Sequence, residues 1–371
     1  MYDKYESVEN YLFDNNIFFY KDYTIKWDTY FKSGGKIKFY VLPQNTDEMK
    51  YFISFLSASS IDFKIIGLTT NLLFFDEIYY SIVVSTKNLK CISFPDDQHL
   101  LVDCGYPLED LVRIALINNL SGFEGLEGIP GSVGGAIFMN AGAYGFTISD
   151  NIVFVECVDE FGEIFSLKKE LCCFEYRDSV FKQKKLYILK ALFKLQKCEN
   201  KSISNEIGIY HRARHLYQEY SYPNLGSMIS VSGDIYYHIF KHDFFYLCVY
   251  FIIKIILKNP LSKFFLRRNP NNLISNKLFK AYLKRQNNEN INFNLSNKSI
   301  NILINNGKSS SADLIKYVYL IYNILHREFK IENEFVLGPY INDEKSISQL
   351  IDYLDGKKSY ENCSYNNTLC K

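Results

Sequence analysis

The chain has 371 residues, 47% of them hydrophobic and 22% charged, so it can form a sizeable core and is not a disordered protein. With 42 Lys and Arg against 41 Asp and Glu, its formal net charge is +1. That balance creates no overall positive field for nucleic acid or an anionic membrane, so any anionic ligand must be held by local groups. The length predicts two or three domains of about 150 residues each.

The nine cysteines and the first residues indicate a cytoplasmic protein with reduced thiols. No C-x-x-C pair occurs, the closest pair being the adjacent Cys172 and Cys173, and the start MYDKYESVEN has no secretory signal. His211 and His215 are four residues apart in HRARH. Since no carboxylate or cysteine pattern accompanies them in the sequence, we interpret them as surface histidines and predict no metal site.

The first third of the chain has the pattern of an α/β unit. Residues 35–43 alternate like a half-buried strand, and residues 45–59 begin with N-T-D-E and continue with helical spacing. Short apolar strands follow at residues 63–67 and 81–86.

The middle of the chain is predicted to be α+β. A helix with one apolar face is expected at 106–120, followed by a glycine-dense loop at 122–145. Strands are expected at 151–159, 162–167 and 185–197.

After about residue 200 the composition changes. The predicted elements, in order, are a polar helix at 203–220, an apolar stretch at 244–257, an Asn- and Lys-rich linker at 269–300, a strand at 300–306, an amphipathic helix at 309–329, a strand at 330–338 and a polar tail from 355.

The apolar stretch at 244–257 has 14 residues with one charge, Lys254, and is flanked by Lys241, Lys258, Arg267 and Arg268. A spanning helix needs about 20 residues, so we favour a helix buried in an enlarged domain. A weak membrane or partner contact through this stretch is the alternative.

The glycine-dense loop is the most informative segment. It spaces eight glycines among apolar residues such as Ile129, Val133 and Ile137, which a flexible linker would not contain. Backbone N–H groups without side-chain cover bind phosphate oxygens, so we predict a ligand cradle. It matches neither the Rossmann fingerprint nor the P-loop.

The segment GLEGIPGSVGGAIFMNAGAYG closely resembles the flavin loop of the UDP-N-acetylenolpyruvoylglucosamine reductase (MurB) family. The resemblance continues through TYFKSGGKIKFYVLP from residue 29, YRDSVFK at 176–182, PNLGS at 223–227 and IENEFVLG at 331–338. It covers roughly residues 25–230 and 295–340, whereas residues 232–290 do not match.

The resemblance implies an α+β, FAD-binding fold of the vanillyl-alcohol-oxidase (PCMH) type, with a C-terminal α/β substrate-binding domain. The implied divisions are FAD-binding subdomains at 1–88 and 89–200, a substrate domain at 201–345 with an atypical insertion at about 232–290, and a polar tail at 346–371.

The resemblance also implies an NADPH-dependent flavoprotein oxidoreductase with non-covalent FAD. NADPH would reduce FAD, and hydride would pass to the enolpyruvyl group of a UDP-sugar, giving UDP-N-acetylmuramate for peptidoglycan synthesis. One alternative is a paralogue acting on another nucleotide-sugar or glycan precursor. The other is a degenerate, non-catalytic FAD-binding protein. The oligomeric state stays open.

Matching the family motifs residue by residue assigns the site. Arg177 would stabilise the developing enolate, Ser227 would donate the proton to carbon, and Glu334 would complete the polar cluster. The residues that would bind FAD are Gly67, Thr69, Thr70, Asn71, Gly128, Ile129, Pro130, Gly131, Ser132, Gly134, Gly135, Asn140, Gly142 and Ala143.

Two departures from the family pattern lie at the ligand turns. The first phosphate turn, usually G-G-G-S-N, has Leu68 and Thr69 in place of two glycines, a strain of about 1–2 kcal/mol at each position that needs positive φ. Threonine hydroxyls that bond phosphate would offset part of it. After Ser227 the chain reads MISVSG, without the family's usual lysine.

Overall fold

The computed structural model describes residues 4–258, 270–286 and 295–342. The predicted polar tail at 346–371 and part of the insertion lie outside these residues.

The described strands, in chain order, are β1 (Phe19–Thr24), β2 (Lys36–Val41), β3 (Lys64–Ile66), β4 (Leu72–Phe74), β5 (Tyr80–Ser85), β6 (Ile92–Ser93), β7 (His99–Asp103), β8 (Leu120–Ser121), β9 (Gly142–Ala143), β10 (Phe146–Thr147), β11 (Ile152–Asp159), β12 (Ile164–Lys168), β13 (Leu186–Lys194), β14 (Gln196–Lys197), β15 (Asn224–Ser227), β16 (Ile302–Ile304) and β17 (Glu334–Val336).

The described helices are α1 (Lys4–Asp14), α2 (Thr46–Ala58), α3 (Leu108–Ile117), α4 (Val133–Phe138), α5 (Val180–Gln183), α6 (Asn200–Tyr217), α7 (Ile235–Phe240), α8 (Phe244–Lys258), α9 (Pro270–Arg285) and α10 (Ser311–Ile324).

The first sheet has the order β1-β2-β5-β3, in which β2, β5 and β3 are parallel and β1 is antiparallel to β2. Helix α2 connects β2 to β3 and begins where the Asn45 side chain accepts a hydrogen bond from the Glu48 N–H. The predicted strands and helix of this region are confirmed. Helix α1 and strand β1 precede them and were not predicted.

The second sheet is antiparallel, with the order β12-β11-β13-β7-β6. Its predicted strands and the helix α3 are confirmed. The glycine-dense loop is less irregular than predicted, because it contains the short helix α4. The Ser132 side chain caps that helix by accepting from the Gly135 N–H. A Cβ at Gly134 would lie 2.7 Å from the Cβ of Cys104, so glycine allows the helix to approach the sheet.

The C-terminal part packs against the first sheet. Strand β17 pairs in parallel with β4, and Glu334 lies opposite Leu72. The Tyr80 hydroxyl donates to the Val336 carbonyl at 2.9 Å and accepts from the Phe75 N–H at 2.8 Å. The strand that contains Glu334 is therefore attached to the N-terminal region. The predicted domain boundaries remain a proposal.

The insertion differs from its prediction in two ways. Helix α9 occupies part of the expected linker at 269–300, because Phe279, Tyr282 and Leu283 form a buried helical face within its polar sequence. Helix α8 was expected to be buried, but only one of its faces packs, through Tyr246 and Tyr250. Among the described helices, none is both long and apolar enough to cross a membrane.

Candidate active site

A cleft of about 660 Å³ lies between three segments of the chain. They are the turn at residues 67–71, which we call the first turn, the glycine-dense loop, and the C-terminal part that contains Ser227 and Glu334. Twelve of the fourteen residues predicted to bind FAD line it. They are Gly67, Thr69, Thr70, Asn71, Ile129, Pro130, Gly131, Ser132, Gly134, Gly135, Gly142 and Ala143. Gly128 and Asn140 are not among the residues that line it.

The sequence predicts backbone strain at Leu68 and Thr69 of the first turn, and the structure shows it at Thr69 only. Thr69 has φ +58°, in the left-handed region that favours glycine, whereas Leu68 does not. The Thr69 hydroxyl accepts a hydrogen bond from the Tyr30 N–H at 2.8 Å, and the Thr70 hydroxyl donates to the Pro130 carbonyl at 3.0 Å. Both hydroxyls therefore hold the turn against neighbouring segments, where the sequence suggested phosphate contacts.

Glycines allow close backbone approach around this cleft. A Cβ at Gly67 would lie 2.4 Å from the Ser132 hydroxyl, and one at Gly142 would lie 2.3 Å from the Phe146 carbonyl oxygen. Gly131 has φ +136° and faces Thr70. A side chain at Gly67 or Gly131 would press the turn at Gly67 and the glycine-dense loop apart, and one at Gly142 would distort the β9–β10 hairpin. This observation fits a cradle for a large, flat, phosphate-bearing ligand such as FAD.

Arg214 of helix α6 is a site residue that sequence reasoning missed. It lines the cleft, and its guanidinium carbon lies 5.4 Å from the centre of the Tyr144 ring. Its Nε and Nη2 atoms are buried and have no hydrogen-bond partner within the described chain. Burial lowers the pKa of Arg214, with nearby tyrosines and Glu127 opposing that shift. A buried cation with unused donors fits an anionic ligand.

Gly128 makes room for this arginine. Its φ is +67°, and a Cβ there would lie 2.8 Å from the Arg214 Cδ. Because that contact joins residues 86 positions apart, the sequence offered no signal for it. Gly128 therefore lies behind the cationic side chain instead of lining the cleft.

Asn140, with φ +43°, ties the glycine-dense loop to the segment that precedes Arg177. Its amide donates to the Glu175 carbonyl at 2.8 Å, and its own Oδ1 is buried with no hydrogen bond to described residues. The residue therefore connects two loops of the site.

The structure brings Arg177, Ser227 and Glu334 together on the wall of the cleft. Arg177 has φ +56°, and its Nη2 donates to the Gly142 carbonyl at 3.3 Å. Glu334 Oε1 lies 3.4 Å from the Nζ atom of Lys182. The carboxylate that lies beside Arg177 belongs to Glu332 and not to Glu334.

Glu332 is that carboxylate. Its Oε2 lies 3.6 Å from Arg177 Nε, and its Oε1 accepts a hydrogen bond from the Tyr176 hydroxyl at 3.1 Å. Ser230 donates in turn to the Tyr176 hydroxyl at 3.1 Å. The E-N-E sequence contains both glutamates, and both line the cleft, so the spacing alone did not distinguish them.

Asn333 joins the two turns around the predicted catalytic serine. Its buried amide nitrogen lies 3.0 Å from Asn71 Oδ1 and 3.3 Å from the Ser227 carbonyl. The Asn71 amide donates to the Glu332 carbonyl at 2.9 Å. Ser227 itself is exposed and lines the cleft. The Asn71 side chain therefore ties the first turn to the segment that contains Glu332 and Asn333.

Of the two histidines singled out in the sequence, His211 contacts an ion pair with a buried carboxylate, and the His215 ring lies beside that of His211. His211 Nδ1 lies 3.0 Å from Glu127 Oε1, a carboxylate distant in sequence that also pairs with Arg113. The His211 and His215 rings are 4.5 Å apart. Within the described residues no group of three or more metal-ligating side chains occurs.

Comparison with known proteins places this geometry in a family. The family model of the FAD binding domain matches residues 37–168. A UDP-N-acetylenolpyruvoylglucosamine reductase of Carboxydothermus hydrogenoformans is 30% identical over 304 residues, which are 82% of this chain and 88% of that protein. The chain belongs to the UDP-N-acetylenolpyruvoylglucosamine reductase family.

Other members of the reductase family agree. The protein of that name from Fervidobacterium nodosum is 40% identical over 199 residues, which are 53% of this chain and 64% of the relative's length. The crystal structure of the Thermus caldophilus reductase (MurB) aligns with a TM-score of 0.62 at 20% identity, covering 87% of this chain and all of that one. The predicted α+β FAD-binding fold is therefore confirmed.

Proposed function

We propose that the protein is an NADPH-dependent flavoprotein that reduces the enolpyruvyl group of UDP-N-acetylenolpyruvoylglucosamine during peptidoglycan precursor synthesis. The observation that supports this most directly is the meeting of Arg177, Ser227 and the Glu332–Glu334 pair on a glycine-lined cleft. Relatives that align over most of this chain bear the name of that reductase. A cytoplasmic location is part of the same proposal.

FAD is the cofactor that the cleft fits. Gly67, Gly131, Gly134 and Gly135 would allow its approach, and Arg214 would neutralise its phosphates. When bound, FAD supplies two-electron hydride chemistry to this site.

The chain's own residues would then manage charge and protons. Hydride addition to the alkene moves negative charge into the adjacent carboxylate, and the Arg177 guanidinium would stabilise that charge. Gly142 and Glu332 hold the guanidinium in place through its Nη2 and Nε atoms. Ser227, which is exposed and lines the cleft, would donate the proton to carbon. Since serine is a weak acid, it depends on this charged surrounding.

A second candidate is a reductase of the same chemistry acting on another nucleotide-sugar precursor. The sequence of the turn after Ser227 supports this candidate. Met228 and Ile229 there are buried and apolar, and no lysine occupies the segment as it does in the family pattern. A different nucleotide contact would follow from this change.

One experiment separates these candidates from a non-catalytic FAD-binding protein. The purified chain is expected to show an oxidised flavin spectrum that NADPH bleaches without oxygen and that UDP-N-acetylenolpyruvoylglucosamine restores. Bleaching without recovery would favour the second substrate. An unbleached flavin would contradict both enzymatic proposals.

A further inference from the structure

Helix α8 exposes a continuous apolar face, which we call the α8 surface. At 100° per residue its members lie within an arc of about 140°. They are between 44% and 82% exposed, and they are Phe244, Phe245, Phe251, Ile252, Ile255 and Ile256. The opposite face packs on the protein through Tyr246 and Tyr250. Among the described residues, those that pack on this helix cover one of its sides.

The single charge within the apolar part of α8 does not interrupt the α8 surface. Lys254 Nζ lies 2.6 Å from Asp234 Oδ2 and 5.3 Å from the centre of the Tyr250 ring, on the packed side. Tyr237 of α7 is 42% exposed and its ring centre lies 6.3 Å from that of Phe251, which extends the apolar area. Exposed apolar patches of this kind mark interaction sites.

The charge around this surface is strongly one-sided. From Phe244 to Gln286 the sequence has nine Lys and Arg residues and no Asp or Glu, although the whole chain has 42 basic and 41 acidic residues. The net charge of +1 is therefore the sum of a basic segment at 244–286 and an excess of acidic residues in the remainder of the chain. The overall charge argued against an anionic membrane, but this local distribution supports one.

Helix α9, which packs beside α8, presents the cations. Lys277, Lys280, Lys284 and Arg285 are all exposed. Arg285 lies over the edge of the α8 surface, with its guanidinium carbon 6.0 Å from the centre of the Phe245 ring, and its ion pair with Asp243 is loose at 3.9 Å. No carboxylate of the described residues forms an ion pair with the three lysines.

We propose that the α8 surface and the α9 cations dock this protein on the surface of an anionic lipid bilayer. The 15 residues of α8 make a helix about 22 Å long, too short to cross a bilayer core of about 30 Å. An apolar face beside cations suits a helix that lies parallel to the membrane plane. A second copy of the chain fits less well, because a symmetric contact through the α8 surface would bring two sets of cations together.

Vesicle flotation of the full-length holoprotein tests this. Vesicles of phosphatidylcholine with 30 mol% phosphatidylglycerol, at about 0.1 M salt, are expected to carry the protein upward, and pure phosphatidylcholine vesicles at least tenfold less. The triple variant Phe251→Ser, Ile252→Ser, Ile255→Ser and the triple variant Lys277→Gln, Lys280→Gln, Lys284→Gln should each reduce partitioning at least tenfold. Each exposed lysine is worth roughly fivefold.

Matched controls change the same residue types elsewhere. Phe161→Ser, Ile164→Ser, Phe165→Ser alters an exposed apolar hairpin, and Lys90→Gln, Lys168→Gln, Lys194→Gln removes three exposed lysines of the second sheet region. Both controls should float like the parent, and all variants should retain the parent's melting temperature within a few degrees.

Three outcomes would overturn the proposal. The protein stays at the bottom with anionic vesicles, the controls lose flotation equally, or the serine variant dissociates a dimer while neither form floats. The readout does not depend on reductase activity.

Discussion

Arg177 Nε lies 3.6 Å from Glu332 Oε2, while the neighbouring Glu334 lies 3.4 Å from Lys182 instead. Two carboxylates of one E-N-E segment thus face the same cleft with different cationic partners. The Lys182 ammonium also donates to the Arg177 carbonyl at 3.2 Å, so the two ion pairs are linked. The carboxylate that pairs with the Arg177 guanidinium is therefore that of Glu332, while Glu334, which the family motif predicts to complete the polar cluster, pairs with Lys182.

Replacing the two glutamates one at a time should therefore have unequal effects. Glu332→Gln removes the charge beside Arg177 and is expected to slow substrate reduction by about 10²-fold. Glu334→Gln alters a pair with Lys182 and should slow it by less than about tenfold. Rapid mixing of reduced enzyme with substrate measures both. The reverse order would mean that Glu334, and not Glu332, is the carboxylate on which substrate reduction depends more.

Ser227→Ala should separate the two half-reactions. Proton delivery to carbon belongs only to the step that reduces the substrate, so that step should slow by about 10²-fold or more. Flavin reduction by NADPH should remain close to that of the parent. Ser232→Ala, which changes an exposed serine five residues further along the same segment, is the control. Equal slowing of both half-reactions by Ser227→Ala would indicate a structural serine.

The sequence predicted the parts of the site that are local. The glycine-dense loop, the turn at Gly67, Arg177 and Ser227 each lie within one short motif, so the family resemblance could single them out, and the structure places residues of each motif on one cleft. Arg214 was not predicted as a site residue, because its place beside Gly128 depends on how helix α6 packs over the loop. Within the segment HRARH the sequence offers two histidines at metal-ligand spacing, and nothing local distinguishes its two arginines.

The limits of the fold prediction have the same origin. Helix α2 was predicted because its cap and apolar spacing are local signals. The Asn- and Lys-rich composition of helix α9 predicts a linker. Its helical form depends on Phe279, Tyr282 and Leu283, which stabilise it only by packing against the core. The exposed face of α8 could not be predicted either, since an apolar sequence does not say which side finds a partner.

Flavin should be released without covalent attachment. Cys104 lines the cleft, but burial raises the pKa of its thiol to about 12, so it stays protonated and is a poor nucleophile at neutral pH. Acid precipitation should therefore leave all flavin in the supernatant, measured by absorbance. Colour that remains in the washed pellet would contradict this prediction.

The Glu127 network should make stability depend on pH. Burial raises the pKa of Glu127, but hydrogen bonds from Arg113 and His211 outweigh it and leave the pKa below its ordinary value. The charged form therefore stabilises the fold above the unfolded carboxyl pKa of about 4.3, and that contribution disappears as pH falls through the lower folded value. Glu127→Gln should lower the free energy of unfolding by about 1–3 kcal/mol at pH 7.

Urea unfolding of both proteins between pH 7 and pH 4 measures this difference. The difference in the free energy of unfolding between the parent and Glu127→Gln should be constant near neutral pH. It should begin to decrease as the pH approaches 4. Glu206→Gln, which changes an exposed carboxylate of helix α6, is the control for a general loss of negative charge. A gap that widens on acidification would mean that the neutral carboxyl is the stabilising form.

Arg214 should contribute to FAD affinity through its unused donors. Its Nε and Nη2 are buried without partners in the described chain, and a bound phosphate would satisfy them. Arg214→Gln removes a charge-assisted hydrogen bond worth about 1.5–3 kcal/mol, so the Kd for FAD should rise roughly 10- to 100-fold. Arg212→Gln is the matched control, because Arg212 lies two residues away on the same helix and is exposed. Titration of apoprotein with FAD, followed by flavin fluorescence, gives both values. Equal affinity for the two variants would mean that the Arg214 cation serves another group, since a side chain in contact with the cofactor phosphates cannot lose its charge without weakening that binding.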